Sequence, residues 1–270
     1  MCAHRDIPSA ADDCGGAPLS RPAGPGAARY ERAGAVAVIA IRRPQRRNAI
    51  DGPTAEAMVH AIRTFNDDPE ARVLLVTGDD EAFCAGADLT SLESLLPRVG
   101  KPEGVFGARR FSPKPAIAAI SGWCLGGGVT LATWCDLRIA ADTARFAFPD
   151  RQWGVPILDG GADRLAAIIG LGRALDLILT GREISAATAL AIGLVTEVVA
   201  PGEHLTRALE IAERIASFPQ PTLLADRWGL LEGLDQRMEL TAQRDLRTLT
   251  EVAAETQQAS ARFTSAGRGD

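Results

Sequence analysis

Two glycine-bearing segments of the sequence have the composition of loops that hold an anion with backbone N–H groups. They span residues 81–89 and 121–131, and each follows a short apolar run that predicts a strand. Glycines at a strand-to-helix junction leave N–H groups uncovered at the positive end of a helix dipole. One N–H from each segment could therefore converge on one oxygen and form an oxyanion hole. Alternatively, the glycines at 126–128 serve only close helix packing.

Other chemistries fit these segments less well. The sequence contains no GxxxxGK[ST] phosphate loop and no GxGxxG after a predicted strand. Cys124 lies beside the glycines, but none of the three histidines falls in a motif, and a thiolate nucleophile usually needs such a partner. We therefore interpret Cys124 as a core residue.

Buried strands that alternate with helices are expected to position the two loops. The helical spacing of apolar residues over 51–65 predicts a helix, with Pro53 in its first turn. The alternation predicts an α/β fold. Beyond residue 202 the pattern changes to long amphipathic runs. Strands are predicted at 34–41, 71–77, 115–120 and 136–140, and late helices at 203–218, 222–232 and 236–259.

Composition narrows the class of protein. The chain has 270 residues, 46% of them hydrophobic, and a formal net charge of −5, so nucleic acid or an anionic membrane is not an expected partner. No apolar run approaches the roughly 18 residues of a membrane span. Five cysteines without a CxxC pair, and no export signal at the start, predict a cytoplasmic protein without a zinc ribbon. We expect a disordered tail over 1–28, a core over 29–200 and a helical region over 201–270.

Several motifs occur together in a recognisable order. They are RPQRRNAI at 43–50, FCAGADL at 83–89, GWCLGGG at 122–128 and ARFAFPD at 144–150. In this order and spacing the sequence closely resembles the crotonase superfamily, whose best-known members are the enoyl-CoA hydratases and isomerases. The resemblance extends over about residues 30–260.

The resemblance implies an architecture and a substrate class. The fold would be a spiral of ββα units with a C-terminal helical region that forms a homotrimer or a dimer of trimers. The substrate would be an acyl-CoA thioester, with no metal and no cofactor besides the CoA that the substrate carries. The oxyanion donors would be the N–H groups of Ala87 and Gly127. Residues implied on the substrate side are Arg47, Ala49, Ala85, Asp88, Leu89, Trp123, Leu125, Gly126, Thr130 and Pro149.

The sequence departs from the hydratase pattern at the acid–base residues. Hydratases of this superfamily usually place two glutamates around one water, at the positions of Thr130 and Asp150 here. A threonine hydroxyl can hold water but is too weakly acidic to act as a base near neutral pH. The segment VPILDGG at 155–161 also departs from the common pattern and introduces Asp159, which could be catalytic or could cap a helix.

Three functions remain open at this point. The first hypothesis is an enoyl-CoA hydratase in which Asp150, with or without Asp159, handles the proton and the water. The second is a double-bond isomerase, which needs one base and the oxyanion hole. The third is a non-catalytic acyl-CoA-binding protein. The sequence does not indicate the length of the acyl chain.

Overall fold

The computed structural model describes residues 27–266, so the predicted tail lies outside the described residues except at its end, where Ala28 already begins a strand. The strands are β1 (Ala28–Ala33), β2 (Val36–Ile41), β3 (Val73–Thr77), β4 (Ala82–Cys84), β5 (Ala116–Ile120), β6 (Trp123–Leu125), β7 (Leu137–Ala141), β8 (Arg145–Ala147), β9 (Ile184–Ser185) and β10 (Glu197–Val199). The α-helices are α1 (Gly52–Asp67), α2 (Gly127–Trp134), α3 (Gly161–Ile169), α4 (Leu171–Thr180), α5 (Ala186–Ala191), α6 (His204–Ser217) and α7 (Gln220–Ala266). Short 3-10 helices span Pro44–Arg46, Leu92–Arg98 and Pro149–Trp153.

Within the described residues the strands form two sheets that the chain visits alternately. The six-stranded sheet has the order β1-β2-β3-β5-β7-β10, and the four-stranded sheet has the order β4-β6-β8-β9. The pairs β3/β4, β5/β6 and β7/β8 each contribute one strand to each sheet, which produces the expected spiral of repeating units. Both sheets are parallel except at one edge, where β1 pairs antiparallel with β2 and β9 with β8.

The core strands are covered on both faces, as their unbroken apolar composition predicts. On one face α6 packs against β2, β3 and β5 through Ala208, Ala212 and Ala216, whose small side chains allow close approach. On the other face α1 buries Met58 and Phe65. The predicted helix start is confirmed, because Asp51 caps α1 by accepting from the Thr54 N–H at 2.9 Å.

The sequence pattern was wrong about the C-terminal helices in one respect. Residues 222–232 and 236–259 were expected to form two helices, but both belong to the 47-residue helix α7. Gly233 does not break the helix, because the neighbouring Asp235 anchors this turn to the core. The Asp235 carboxylate is buried and accepts from the Phe111 N–H at 3.0 Å and from Arg110.

The helix α7 thus lies along the core of its own chain. Farther along it, Asp245 accepts from Arg109 at 2.8 Å and Thr256 donates to the Gly154 carbonyl at 2.7 Å. Although α7 is long, neither it nor another helix within residues 27–266 is apolar enough to span a bilayer.

Candidate active site

The two glycine loops meet at the N-terminus of α2. In the first loop, the Ile50 N–H donates to the Gly86 carbonyl at 2.7 Å and the Asp88 N–H donates to the Ile50 carbonyl at 2.8 Å. Successive N–H groups of an extended chain point to opposite sides, so the Ala87 N–H points away from Ile50. In the second loop, Gly127 is the first residue of α2, and its N–H has no acceptor within the helix.

Glycine is required where the loops touch. A Cβ on Gly86 would lie 3.0 Å from the Gly127 nitrogen and 2.9 Å from the Leu125 carbonyl oxygen. A Cβ on Gly128 would lie 2.1 Å from the Cys84 carbonyl oxygen. The glycines therefore allow the two loops to pack closely, which brings the first loop against the N-terminus of α2. That the N–H groups of Ala87 and Gly127 form an oxyanion hole stays a prediction.

Both donor residues line a cavity of about 50 Å³ under the loops. This volume exceeds the roughly 10–15 Å³ that one ordered water needs. The cavity is mostly apolar, with Thr130, Asp150 and Thr256 as polar side chains on its wall. The residues that line it are Ala87, Leu92, Leu95, Leu96, Val99, Val105, Phe106, Gly127, Thr130, Asp150, Val155, Pro156, Ile157, Leu158, Leu249 and Thr256.

Asp150 is the carboxylate in this cavity. It lies in the 3-10 helix Pro149–Trp153, just after β8. Its Oδ2 is shielded from solvent and has no hydrogen-bond partner within the described residues. Burial raises the pKa of Asp150 to about 6, and its own backbone N–H and the Arg151 charge oppose the rise only in part. A carboxyl with a pKa near 6 can both accept and return a proton near neutral pH.

Thr130 lies one turn into α2 and is almost fully buried. Its N–H donates to the Gly126 carbonyl at 3.1 Å, which fixes the first turn of the helix. A Cβ on Gly161 would come within 2.3 Å of the Thr130 Oγ1, so α3 begins directly against this side chain. The hydroxyl thus stands at a closely packed wall of the Asp150 cavity.

Asp159 lies outside this cavity wall, although the sequence offered it as a catalytic candidate. Its buried carboxylate accepts from the N–H groups of Val105 and Phe106, both at 2.9 Å, and from Arg109 at 3.1 Å. Its own N–H donates to Asp245 on α7 at 2.9 Å. Asp159 also adopts a left-handed backbone conformation, with φ of 56°. It precedes α3 by two residues, but no cap hydrogen bond joins its side chain to that helix.

The positively charged side chains in this layer complete a buried ionic network. Arg109 is 1% exposed and bridges Asp159 to Asp245. Arg164 donates to the Arg109 carbonyl at 3.1 Å, and burial lowers its pKa to about 10. Arg164 lies in a segment that resembles the family, whereas Arg109 belongs to no such motif, and an isolated arginine in a sequence does not reveal burial.

Phe106 is a further cavity residue that the sequence did not reveal. A Cβ on Gly127 would lie 2.6 Å from the Phe106 ring, so this ring packs directly on Gly127. Asp159 holds the Phe106 backbone, as described above. The ionic network therefore connects α7 to the wall of the cavity.

Most residues implied on the substrate side do not line the cavity. Arg47, Ala49, Ala85, Asp88 and Leu89 lie around the first loop, whereas Trp123, Leu125 and Gly126 belong to the second loop and Pro149 follows β8. Arg47 is exposed, and its carbonyl accepts from the Ala85 N–H at 3.0 Å, while Ala49 is buried beside it. The Asp88 carboxylate is occupied by Thr90 and Arg43, and these hydrogen bonds, with the Arg43 charge, outweigh burial and lower the pKa of Asp88. Contacts of this group with CoA, including those implied for Leu89, Trp123, Leu125 and Pro149, stay predictions.

Asn48 is a positioning residue that the sequence did not single out. Its buried amide donates to Asp79 at 2.9 Å and to the Ala82 carbonyl at 2.7 Å, and it accepts from the Arg43 N–H. These bonds tie the RPQRRNAI segment to the first glycine loop. Cys124 is buried, and burial raises the pKa of its thiol well above the usual value, in agreement with its interpretation as a core residue.

Comparison with known proteins agrees with this geometry. A family model described as "Enoyl-CoA hydratase/isomerase" matches residues 31–264. A "Probable enoyl-CoA hydratase" of Rhizobium meliloti is 39% identical over 224 residues, which cover 80% of this chain and 84% of the relative. A "Short-chain-enoyl-CoA hydratase" of Clostridium acetobutylicum is 39% identical over 193 residues, covering 69% and 74%.

A solved structure extends the similarity to three dimensions. The carnitinyl-CoA hydratase from Mycobacterium avium superposes with a TM-score of 0.80 at 33% identity, covering 90% of this chain and 97% of that one. The crotonase-like α/β fold expected from the motifs is confirmed. The chain belongs to the enoyl-CoA hydratase/isomerase family of the crotonase superfamily.

Proposed function

We propose that this protein is an enoyl-CoA hydratase that adds water across the 2,3 double bond with a single carboxylate, Asp150. The observation that carries the proposal is the cavity that holds Asp150 together with Ala87 and Gly127. The names of the relatives support the same reaction, since several are hydratases of enoyl-CoA thioesters.

The reaction would begin with the thioester carbonyl oxygen between the N–H groups of Ala87 and Gly127. The Asp150 carboxylate takes a proton from a water molecule, and the water oxygen bonds to C3. The electron pair of the C2–C3 double bond moves towards the carbonyl oxygen and forms an enolate. Asp150 then returns its proton to C2, which gives the 3-hydroxyacyl-CoA.

Each part of the site would serve one step. The two N–H donors stabilise the enolate oxygen, an effect of roughly 3 kcal/mol per donor in comparable oxyanion holes. The Thr130 hydroxyl holds the water that Asp150 activates. Because its carboxylate already accepts three protein hydrogen bonds, Asp159 positions the Phe106 segment and does not transfer protons.

The single cavity carboxylate also favours a second candidate function. An isomerase moves a proton between two carbons of the same enolate, so one base and the oxyanion hole suffice. Such an enzyme would not need Thr130 to hold a water. The two functions therefore differ in the fate of water, which can be measured.

The deciding experiment is incubation with crotonyl-CoA and with decenoyl-CoA in deuterated water, followed by mass spectrometry after return to ordinary water. Hydration predicts a product that has gained one water and one carbon-bound deuterium. Carbon-bound deuterium without added water would contradict the hydratase function and support the isomerase function. If both substrates remain unchanged, neither function holds, and tight acyl-CoA binding would then favour the binding protein.

We also infer that copies of the chain associate as trimers, as the family resemblance implies. Three leucines on α7 support this inference, because Leu230, Leu240 and Leu246 are 86%, 72% and 55% exposed. Light scattering coupled to size-exclusion chromatography should give about three times the 28.4 kDa chain mass, or six times for a dimer of trimers. A monomer mass would contradict the inference.

A further inference from the structure

A groove of about 680 Å³ lies between the 3-10 helix Leu92–Arg98 and the last third of α7. This volume is within the range of roughly 300–1,000 Å³ that is typical of small-molecule sites. It is many times larger than the cavity at Asp150. An acyl group of four carbons would leave most of the groove empty.

The groove opens directly from the Asp150 cavity. Leu92, Leu96, Leu249 and Thr256 line both spaces. A thioester whose carbonyl lies at Ala87 and Gly127 can therefore extend its acyl chain past these side chains and along α7.

The groove walls are suited to an apolar chain. Leu96 is 53% exposed and contributes apolar surface to the groove. On α7, Leu249, Ala253 and Thr256 recur at helical spacing on one face, and the small Ala253 side chain keeps the groove wide.

Two hydroxyl groups of the α7 wall are already bonded to protein partners. Thr256 donates to the Gly154 carbonyl and Ser260 donates to the Leu89 carbonyl at 2.6 Å. Farther along, the Trp153 and Phe263 rings meet edge to face at 4.9 Å. These contacts hold α7 against the segments that carry Asp150 and Ala87, so the groove keeps a fixed position relative to the reacting atoms.

We propose that this groove binds the acyl tail and makes the enzyme selective for enoyl-CoA substrates with straight apolar chains well beyond four carbons. The proposal rests on the proposed function for the identity of the reacting group. Each methylene buried in the groove should improve transition-state binding about fourfold at most.

The first test is the kcat/KM of the full-length protein for crotonyl-, hexenoyl-, octenoyl- and decenoyl-CoA. We expect kcat/KM to rise at least about tenfold from crotonyl- to decenoyl-CoA. A fall of kcat/KM beyond crotonyl-CoA would overturn the proposal while leaving the hydratase function intact.

The second test fills the groove. Ala253→Trp places an indole in it, and the ratio of decenoyl- to crotonyl-CoA kcat/KM should fall at least about tenfold. Ala254→Trp is the matched control, because Ala254 is exposed at the next position of α7 and does not line the groove. An unchanged ratio in Ala253→Trp, or the same fall in Ala254→Trp, would overturn the assignment.

A binding measurement tests the role of the groove independently of the proposed reaction. Calorimetric titration with saturated butyryl-, octanoyl- and decanoyl-CoA needs no turnover. Affinity that rises with chain length and is lost in Ala253→Trp would support the groove even if no enoyl-CoA reacts, in which case only the hydratase function fails. Affinity that is independent of chain length would contradict the assignment of the groove to the acyl tail. Occupation of the groove by a second copy of the chain would contradict it as well.

Discussion

The Asp150 carboxylate is packed against the backbone of Gly126. A Cβ on Gly126 would lie 2.6 Å from its Oδ1 and 2.8 Å from its Oδ2. Gly126 immediately precedes Gly127, the proposed oxyanion donor, and has a φ of 48°, a conformation that L side chains rarely adopt. Gly126 therefore determines both how closely the Asp150 carboxylate approaches this loop and the direction of the Gly127 N–H.

Gly126→Ala should reduce kcat/KM by about 100-fold or more, because the added methyl group displaces Asp150 and strains the turn that aims the Gly127 N–H. Steady-state kinetics with crotonyl-CoA measures the effect. Gly172→Ala is the control, since a Cβ there meets open space within α4. Equal activity of the two variants would contradict the relationship between Gly126 and the site.

Asp150 should give the pH profile a single acidic limb. Burial raises its pKa to about 6, and the proposed mechanism needs the ionised form to accept a proton from water. Activity should therefore be constant above this pKa and fall about tenfold per pH unit below it. The measurement is kcat/KM between pH 5 and pH 8, a window of about one to two units on each side of the pKa.

Asp150→Asn should remove the acidic limb together with nearly all turnover, while acyl-CoA binding persists. Asp142→Asn, at an exposed position, should keep the wild-type profile. Normal turnover in Asp150→Asn would exclude Asp150 from proton transfer, and activity that rises as the pH falls through 6 would show that the protonated form is the reactive one.

Thr130→Val keeps the shape of the side chain but removes the hydroxyl. If the hydroxyl holds the attacking water, hydration should fall about tenfold, the worth of one hydrogen bond of roughly 1–1.5 kcal/mol. Acyl-CoA affinity should not change. Thr133→Val is the control, because its hydroxyl bonds to the Thr130 carbonyl within the same helix. Hydration at the wild-type rate in Thr130→Val would contradict the role of the hydroxyl.

Asp159→Asn should destabilise the protein by up to about 3 kcal/mol, because it removes one of the two charge partners of the buried Arg109. Urea unfolding followed by circular dichroism measures this change in the free energy of unfolding. Asp163→Asn breaks only the surface pair with Arg244 and should cost less than about 1 kcal/mol. If Asp159→Asn unfolds like the wild type but loses all turnover, Asp159 takes part in the chemistry.

The sequence by itself determined the fold class and part of the site. Apolar runs such as β2, β3 and β5 were found because a strand buried on both faces is apolar throughout. The three-residue strands β4 and β6 were missed, since runs this short carry no periodicity and lie within the glycine loops. Gly127, Ala87, Thr130 and Asp150 were proposed as site residues because their motifs are local in sequence and resemble the family, and in the structure these four line one cavity.

Only the tertiary structure decided what the remaining polar residues contact. Asp159 lies soon after the motif that ends at Asp150, yet its carboxylate is held by residues about 50 positions away, at Val105, Phe106 and Arg109. The groove likewise joins Leu92 to Ala253, which no local pattern connects. Spacing along the chain specifies secondary structure and short motifs, whereas burial and hydrogen-bond partners depend on which distant segments the folded core brings together.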